Sequence, residues 1–143
     1  MTGLERICIE HDCATLIAAY CNAVDARDHA AVVGMFTDGG TLRRPLEGAL
    51  TGHAAIRAFF DGLPTVPRRH VSSNVVVTVI DNDNATAISY LTAYASTHVN
   101  DKGIAPLSPT YLIAEYRDRL TRDGGRWKFA ERNTVFMFRT DVT

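Results

Sequence analysis

Cysteine is scarce in this chain. There are three, Cys8, Cys13 and Cys21, all near the N-terminus, and the number is odd. A disulfide framework needs pairs spread over the fold, so free thiols in a reducing compartment are expected. No CxxC or Cys/His ligand spacing occurs, and each cysteine is expected to be a small buried hydrophobe. Runs of lysine and arginine are also missing, and the formal net charge is -1. Neither nucleic acid nor an anionic membrane is therefore expected as a partner. No apolar stretch approaches ~18 residues, which excludes an ordinary transmembrane helix. The opening segment MTGLERICIEHD has no basic region followed by an apolar run, so no signal peptide is expected. A cytoplasmic location follows as the expectation. Internal repeats, low-complexity segments and linkers are absent as well, which predicts one domain over residues 1–143.

What is present is a change of period along the chain. Leu4, Ile7 and Cys8, then Cys13, Leu16, Ile17, Tyr20 and Val24, recur at three- and four-residue steps, which predicts helix with one apolar face. Alanines at 14, 18, 19 and 23 favour it. Asp28 reads as the N-cap of a second, short helix, closed by a turn at Asp38-Gly39-Gly40. Residues 41–46 suit a short strand. Residues 53–63 read as a third helix with Ile56, Phe59, Phe60 and Leu63 on one face, stopped by Pro64 and Pro67. From there the period is two. Strands are predicted over 69–80, 85–98, 111–120 and 126–138, joined by Asp/Asn and Gly-rich turns and by a loop over 100–109. Met35, Phe36, Phe59, Phe60, Trp127 and Phe129 are assigned to the core. His11, His29, His53 and His98 have no metal-ligand spacing and are expected to face solvent.

Helices followed by consecutive strands predict an α+β domain with an antiparallel sheet and the helices on one face. Long antiparallel strands coil, so the sheet should curve into an open-mouthed cone with a natural hollow. Apolar residues are too numerous for one helical layer to cover both sheet faces. A homodimer through the sheet is expected, with Val75, Val77, Val79 or their alternates on the outer face.

The run YCNAVDARDHAAVVGMFTDGG, the helix HAAIRAFF after Gly48 and Gly52, His70 and Asn74 before a valine run, and RWKF followed by Arg132 together resemble the SnoaL-like, nuclear transport factor 2-like superfamily. The resemblance implies a cone-shaped cystatin-like roll with the helices on the concave face of a strongly curved sheet. The fold hosts dehydratases, isomerases, cyclases, dioxygenase β-subunits and non-enzymes, so it does not by itself assign a reaction. Scytalone and bile-acid dehydratases of this superfamily place an acid at the end of the first long helix and a histidine on the strand after the proline loop. Asp25 and His70 match those places. Tyr20 matches a tyrosine of the bile-acid type, and Arg132 matches its late arginine. Val24 stands where the scytalone type has a tyrosine.

These positions suit a dehydration or an isomerisation through an enol. The unperturbed pKa of histidine lies near working pH, so His70 could move a proton, and Asp25 could fix its tautomer or act as the base. Tyr20 could donate to a developing oxyanion, and Arg132 could hold an anionic part of the substrate. Asn74, by strand alternation with His70, and Tyr94 complete the expected substrate-binding set. No metal or organic cofactor is required. The implied ligand is a small hydrophobic hydroxy or keto compound. A non-catalytic ligand-binding protein and an assembly subunit resembling a dioxygenase β-subunit are the alternatives. On an ideal helix Tyr20 and Asp25 point ~140° apart, so one hollow would have to wrap the helix end to reach both.

Overall fold

The computed structural model describes residues 1–107 and 111–140. The chain runs α1 (Gly3–Asp25), α2 (His29–Gly34), β1 (Phe36–Arg44), β2 (Gly48–Thr51), α3 (His53–Asp61), β3 (Arg68–Val79), β4 (Asn84–Ala95), β5 (Tyr111–Asp123) and β6 (Arg126–Arg139). Of the loop expected over 100–109, positions 108 and 109 lie outside the described residues.

A capping box starts α1. The Thr2 hydroxyl accepts from the Glu5 amide at 3.2 Å, and the Glu5 carboxylate accepts from the Thr2 amide at 2.6 Å. Ile9, Cys13, Ile17, Tyr20, Cys21 and Val24 form its buried stripe. The stripe does not extend to the first turns: Leu4, Ile7 and Cys8 are exposed, contrary to the periodicity, and Leu4 and Cys8 border a surface hollow with Asn82 and Arg122. Asp28 caps α2 as expected, accepting from the Ala31 amide at 3.0 Å.

One six-stranded sheet has the order β2-β1-β6-β5-β4-β3 and does not close, so β2 and β3 are its edges. Every pairing is antiparallel except β1 with β6, which is parallel and makes the sheet mixed. Asp38-Gly39-Gly40 lies within β1 rather than in a helix-ending turn, beside a register shift between Phe36 and Thr41. Further register shifts fall in β3 opposite β4 and at two places between β5 and β6. Bulges of this kind bend a sheet and raise its twist, and the sheet here curves around the helices.

Side chains opposite one another across a ladder share a face. On the helix side the rows run His70–Ala93–Leu112, then Ser72–Leu91–Ala114–Phe136, then Ser89–Tyr116–Thr134, then Ala87–Asp118–Arg132–Leu42. The core lies between these rows and the helices. Phe36, Phe60, Trp127 and Phe129 are buried in it, with Met35 and Phe59 half-buried at its margin. Val75 and Val77 face the interior, partly buried, and Val79 is buried there. The exposed outer face instead carries Val71, Val76, Ile88 and Tyr90. Among the described residues no helix is long and apolar enough to cross a membrane.

Candidate active site

Asp25 closes α1 and His70 lies near the start of β3, at the first interior row of the cone. The Asp25 carboxylate engages His70 twice. Oδ2 accepts from the His70 backbone amide at 2.9 Å, and Oδ1 lies 2.6 Å from Nδ1. The side chains are 10% and 18% exposed respectively, so the pair is largely sheltered but reachable. A carboxylate this close to Nδ1 selects the tautomer with hydrogen on Nδ1 and leaves Nε2 as a lone pair. Nε2 has no hydrogen-bond partner among the described residues. The short contact is characteristic of a charge-assisted hydrogen bond.

Tyr20 and Arg132 meet each other deeper in the cone. The Arg132 guanidinium carbon lies 3.8 Å from the centre of the Tyr116 ring, 4.1 Å from Phe129 and 4.3 Å from Tyr20. Its Nε and Nη2 donate to the two Asp118 oxygens at 2.9 and 2.7 Å. Arg132 is fully buried. Burial alone would lower its pKa, but the Asp118 charge and hydrogen bonds outweigh that and raise it. The role expected for Arg132, holding an anionic part of a substrate, is therefore taken by Asp118. Only Nη1 is left without a partner. Tyr20 is buried in an aromatic cluster with Phe36, Phe60, Tyr116 and Phe129. Burial pushes its phenol up to about 12, so it stays a donor at neutral pH.

Two expected binding residues point elsewhere. Asn74 sits in the left-handed region with φ 51, at the register shift between Ser73 and Val76. That bulge breaks the alternation from which it was placed beside His70, and Asn74 is exposed. Tyr94 is adjacent in β4 to Ala93, which opposes His70, so it faces the other side of the sheet. It lines a hollow of about 310 Å³ at the start of β3 with Pro67, Arg68, Arg69, Ser96 and Leu107.

Two histidines read as solvent-facing are not. His29 is buried, with Nδ1 donating to Asp61 Oδ1 at 2.7 Å, and Asp61 also accepts from Arg57. His53 is partly buried, and its Nε2 donates to the Phe36 carbonyl at 2.9 Å. Among the described residues no group of three or more His, Cys, Asp or Glu side chains is placed to hold a metal.

Sequence reasoning missed Asp118, and a signal for it existed. It is the one acid in the alternating set Ala114, Tyr116, Asp118, Leu120, all buried on the interior face of β5. Missed too were Ser72, Ser89 and Thr134, whose buried hydroxyls face the interior without partners. Nothing in their spacing distinguishes them from ordinary strand hydroxyls.

N-terminal helices against a curved, unclosed six-stranded sheet define a cone-fold protein of the cystatin-like, nuclear transport factor 2-like kind. The SnoaL-like domain family matches residues 5–133, and the chain belongs to that family. Among solved structures it is similar to a putative scytalone dehydratase from Novosphingobium aromaticivorans, with 18% identity, TM-score 0.85, and 99% and 93% of the two chains covered. A hexachlorocyclohexane dehydrochlorinase, LinA type 2, matches with 15% identity, TM-score 0.82, and 99% and 94% covered. A cystatin-like protein of unknown function from Nostoc punctiforme matches with 24% identity, TM-score 0.73, and 96% and 94% covered. No curated protein sequence matches the chain.

Proposed function

We propose that this protein is a cofactor-free lyase or isomerase that acts on a hydrophobic hydroxy or keto small molecule through Asp25 and His70. The observation that carries this reading is the double engagement of His70 by one carboxylate, which leaves Nε2 basic and free. In an elimination, Nε2 takes a proton from carbon. The C–H electron pair forms the double bond, and the leaving group departs with its own bonding pair. Asp25 stabilises the imidazolium so formed, as the carboxylate does in a Ser-His-Asp triad. A hydroxyl leaving group then recovers its proton from the imidazolium. Membership of the SnoaL-like family and likeness to proteins titled as a dehydratase and a dehydrochlorinase support this class of chemistry.

Tyr20 and Arg132 belong to this reading as shape and field rather than as direct contacts, since both are held in the buried cluster. A homodimer through the outer face of β3 and β4, where Val71, Val76, Ile88 and Tyr90 are exposed, is part of the same proposal. Light scattering on the purified protein checks it, and a monomer at micromolar concentration refutes it. The catalytic reading is tested by His70→Asn and Asp25→Asn in a screen of cyclic hydroxyketones. Loss of about 10²–10⁴-fold in turnover with an unchanged circular-dichroism spectrum is expected. Full activity in both variants would sink the proposal.

A further inference from the structure

Two arginines frame the Asp25–His70 pair, and neither has a carboxylate partner among the described residues. Arg27 follows Asp25 by two residues, takes φ 56 where α1 ends, and donates from Nη1 to the Leu63 and Pro64 carbonyls at 3.2 and 3.1 Å. Arg68 precedes His70 by two residues in β3, hence on the same face, and donates from Nη2 to the same Pro64 carbonyl at 2.9 Å. Bonds of 3.1 and 2.9 Å to one oxygen put the two guanidinium nitrogens within 6.0 Å of each other.

Like charges so close repel, and a single neutral carbonyl does not offset that. Asp25 acts on Arg68 through its charge but makes no hydrogen bond to either arginine. Asp25 has both oxygens committed to His70. Arg44 also acts electrostatically on Arg68, and its own carboxylate partner is Glu47. Arg68 Nε is buried without a hydrogen bond, although the residue as a whole is half-buried. Burial first, and Arg27 second, lower the Arg68 pKa, with Asp25 opposing them. Each guanidinium keeps N–H groups that no described residue uses, and a planar bidentate acceptor fits such a fork. The Cα atoms of residues two apart on a strand are ~7 Å apart, so Arg68 and His70 can contact one ring-sized molecule.

We propose that the molecule handled at Asp25 and His70 is an organic carboxylate, its anionic group seated between Arg68 and Arg27 and its ring extending to His70. This rests on the catalytic reading for the identity of the site, but not for the binding it predicts.

The test is an NMR titration of the intact protein with 2-naphthoate and with its neutral isostere 2-naphthamide. Naphthoate is expected to bind at least about tenfold tighter, the worth of one charge-assisted contact. Arg68→Gln should remove most of that preference, and Arg68→Lys should keep part of it. Arg27→Gln should reduce it too. If that variant unfolds because it loses the Leu63 and Pro64 bonds, the Arg68 pair still decides the matter. Equal binding of the two probes, or an unchanged preference in Arg68→Gln, overturns the proposal. So does displacement of naphthoate by equimolar inorganic phosphate at constant ionic strength, which would mark a site for any small anion. His70→Asn should keep the naphthoate preference. If it keeps turnover as well, the catalytic reading fails while this one stands.

Discussion

Asp25 holds His70 by both its backbone and its ring: one carboxylate oxygen takes the amide hydrogen at 2.9 Å, and the other lies 2.6 Å from Nδ1. The end of α1 and the start of β3 are thereby fixed to each other by a group that also sets the imidazole tautomer. Positioning and chemistry reside in the same four atoms. Replacing the acid therefore does two things at once, and the two can be read separately.

Nitrogen-15 NMR reads the tautomer. In the wild type, under conditions where the ring is neutral, His70 should show hydrogen on Nδ1 and a lone pair on Nε2. In Asp25→Ala the Nε2–H form, which dominates in free histidine, should appear. An Nε2–H tautomer in the wild type would remove the basic lone pair on which elimination depends.

The Arg132–Asp118 pair makes a prediction about stability. Both side chains have zero exposure, and two of the three guanidinium nitrogens bond the acid. Removing one partner leaves a buried charge, a change that costs about 3–5 kcal/mol. Asp118→Ala should lower the unfolding free energy obtained from urea titration by that amount. The double variant Asp118→Leu/Arg132→Met should be far less damaged, because an apolar pair of similar volume leaves no charge unpaired. A fully additive double variant would show that the pair is not coupled.

How far the fold could be read from the sequence follows from which residues act locally. Periodicity located the helices and the four long strands because apolar spacing responds directly to a buried face. The turn assigned at Asp38-Gly39-Gly40 failed for a tertiary reason. A Cβ on Gly40 would come within 3.0 Å of the Phe129 and Thr37 carbonyls, so this glycine serves strand packing rather than chain reversal. Asn74 was misplaced because a bulge is invisible to a period-two count. The pairing of Asp25 with His70 was legible only through family resemblance, since 45 residues separate them. Arg27 and Arg68 were not legible at all: their meeting point is the carbonyl of Pro64, and a carbonyl leaves no mark in a sequence.

Thiol reactivity separates the three cysteines. Burial pushes the Cys13 thiol up to about 12 and the Cys21 thiol up to about 11, whereas Cys8 lies exposed on α1. Thiolates, not thiols, attack disulfide reagents. At pH 8 the native protein should therefore release one equivalent of chromophore from Ellman's reagent quickly, and three after denaturation in guanidinium. Cys8→Ser should abolish the fast equivalent. A fast phase that survives in Cys8→Ser would mean that the α1 stripe opens on the timescale of the assay.

The Asp61 contacts predict how stability depends on acid. The His29 hydrogen bond first, and the Arg57 hydrogen bonds second, hold the Asp61 carboxyl below its ordinary value. A group with a lowered folded pKa contributes stability that is complete above its unfolded value, about 3.9 for aspartate, and is lost as pH falls through the folded value. The wild type should therefore lose its advantage over Asp61→Asn between about pH 4 and the folded pKa below it, and show a constant advantage at pH 6 and above. Because Asp61 is half exposed, added salt should shrink that advantage at neutral pH. Urea midpoints measured across this range for both proteins decide the point. An advantage that stays unchanged down through the folded pKa of Asp61 would mean that His29 and Asp61 are held together by packing and not by charge.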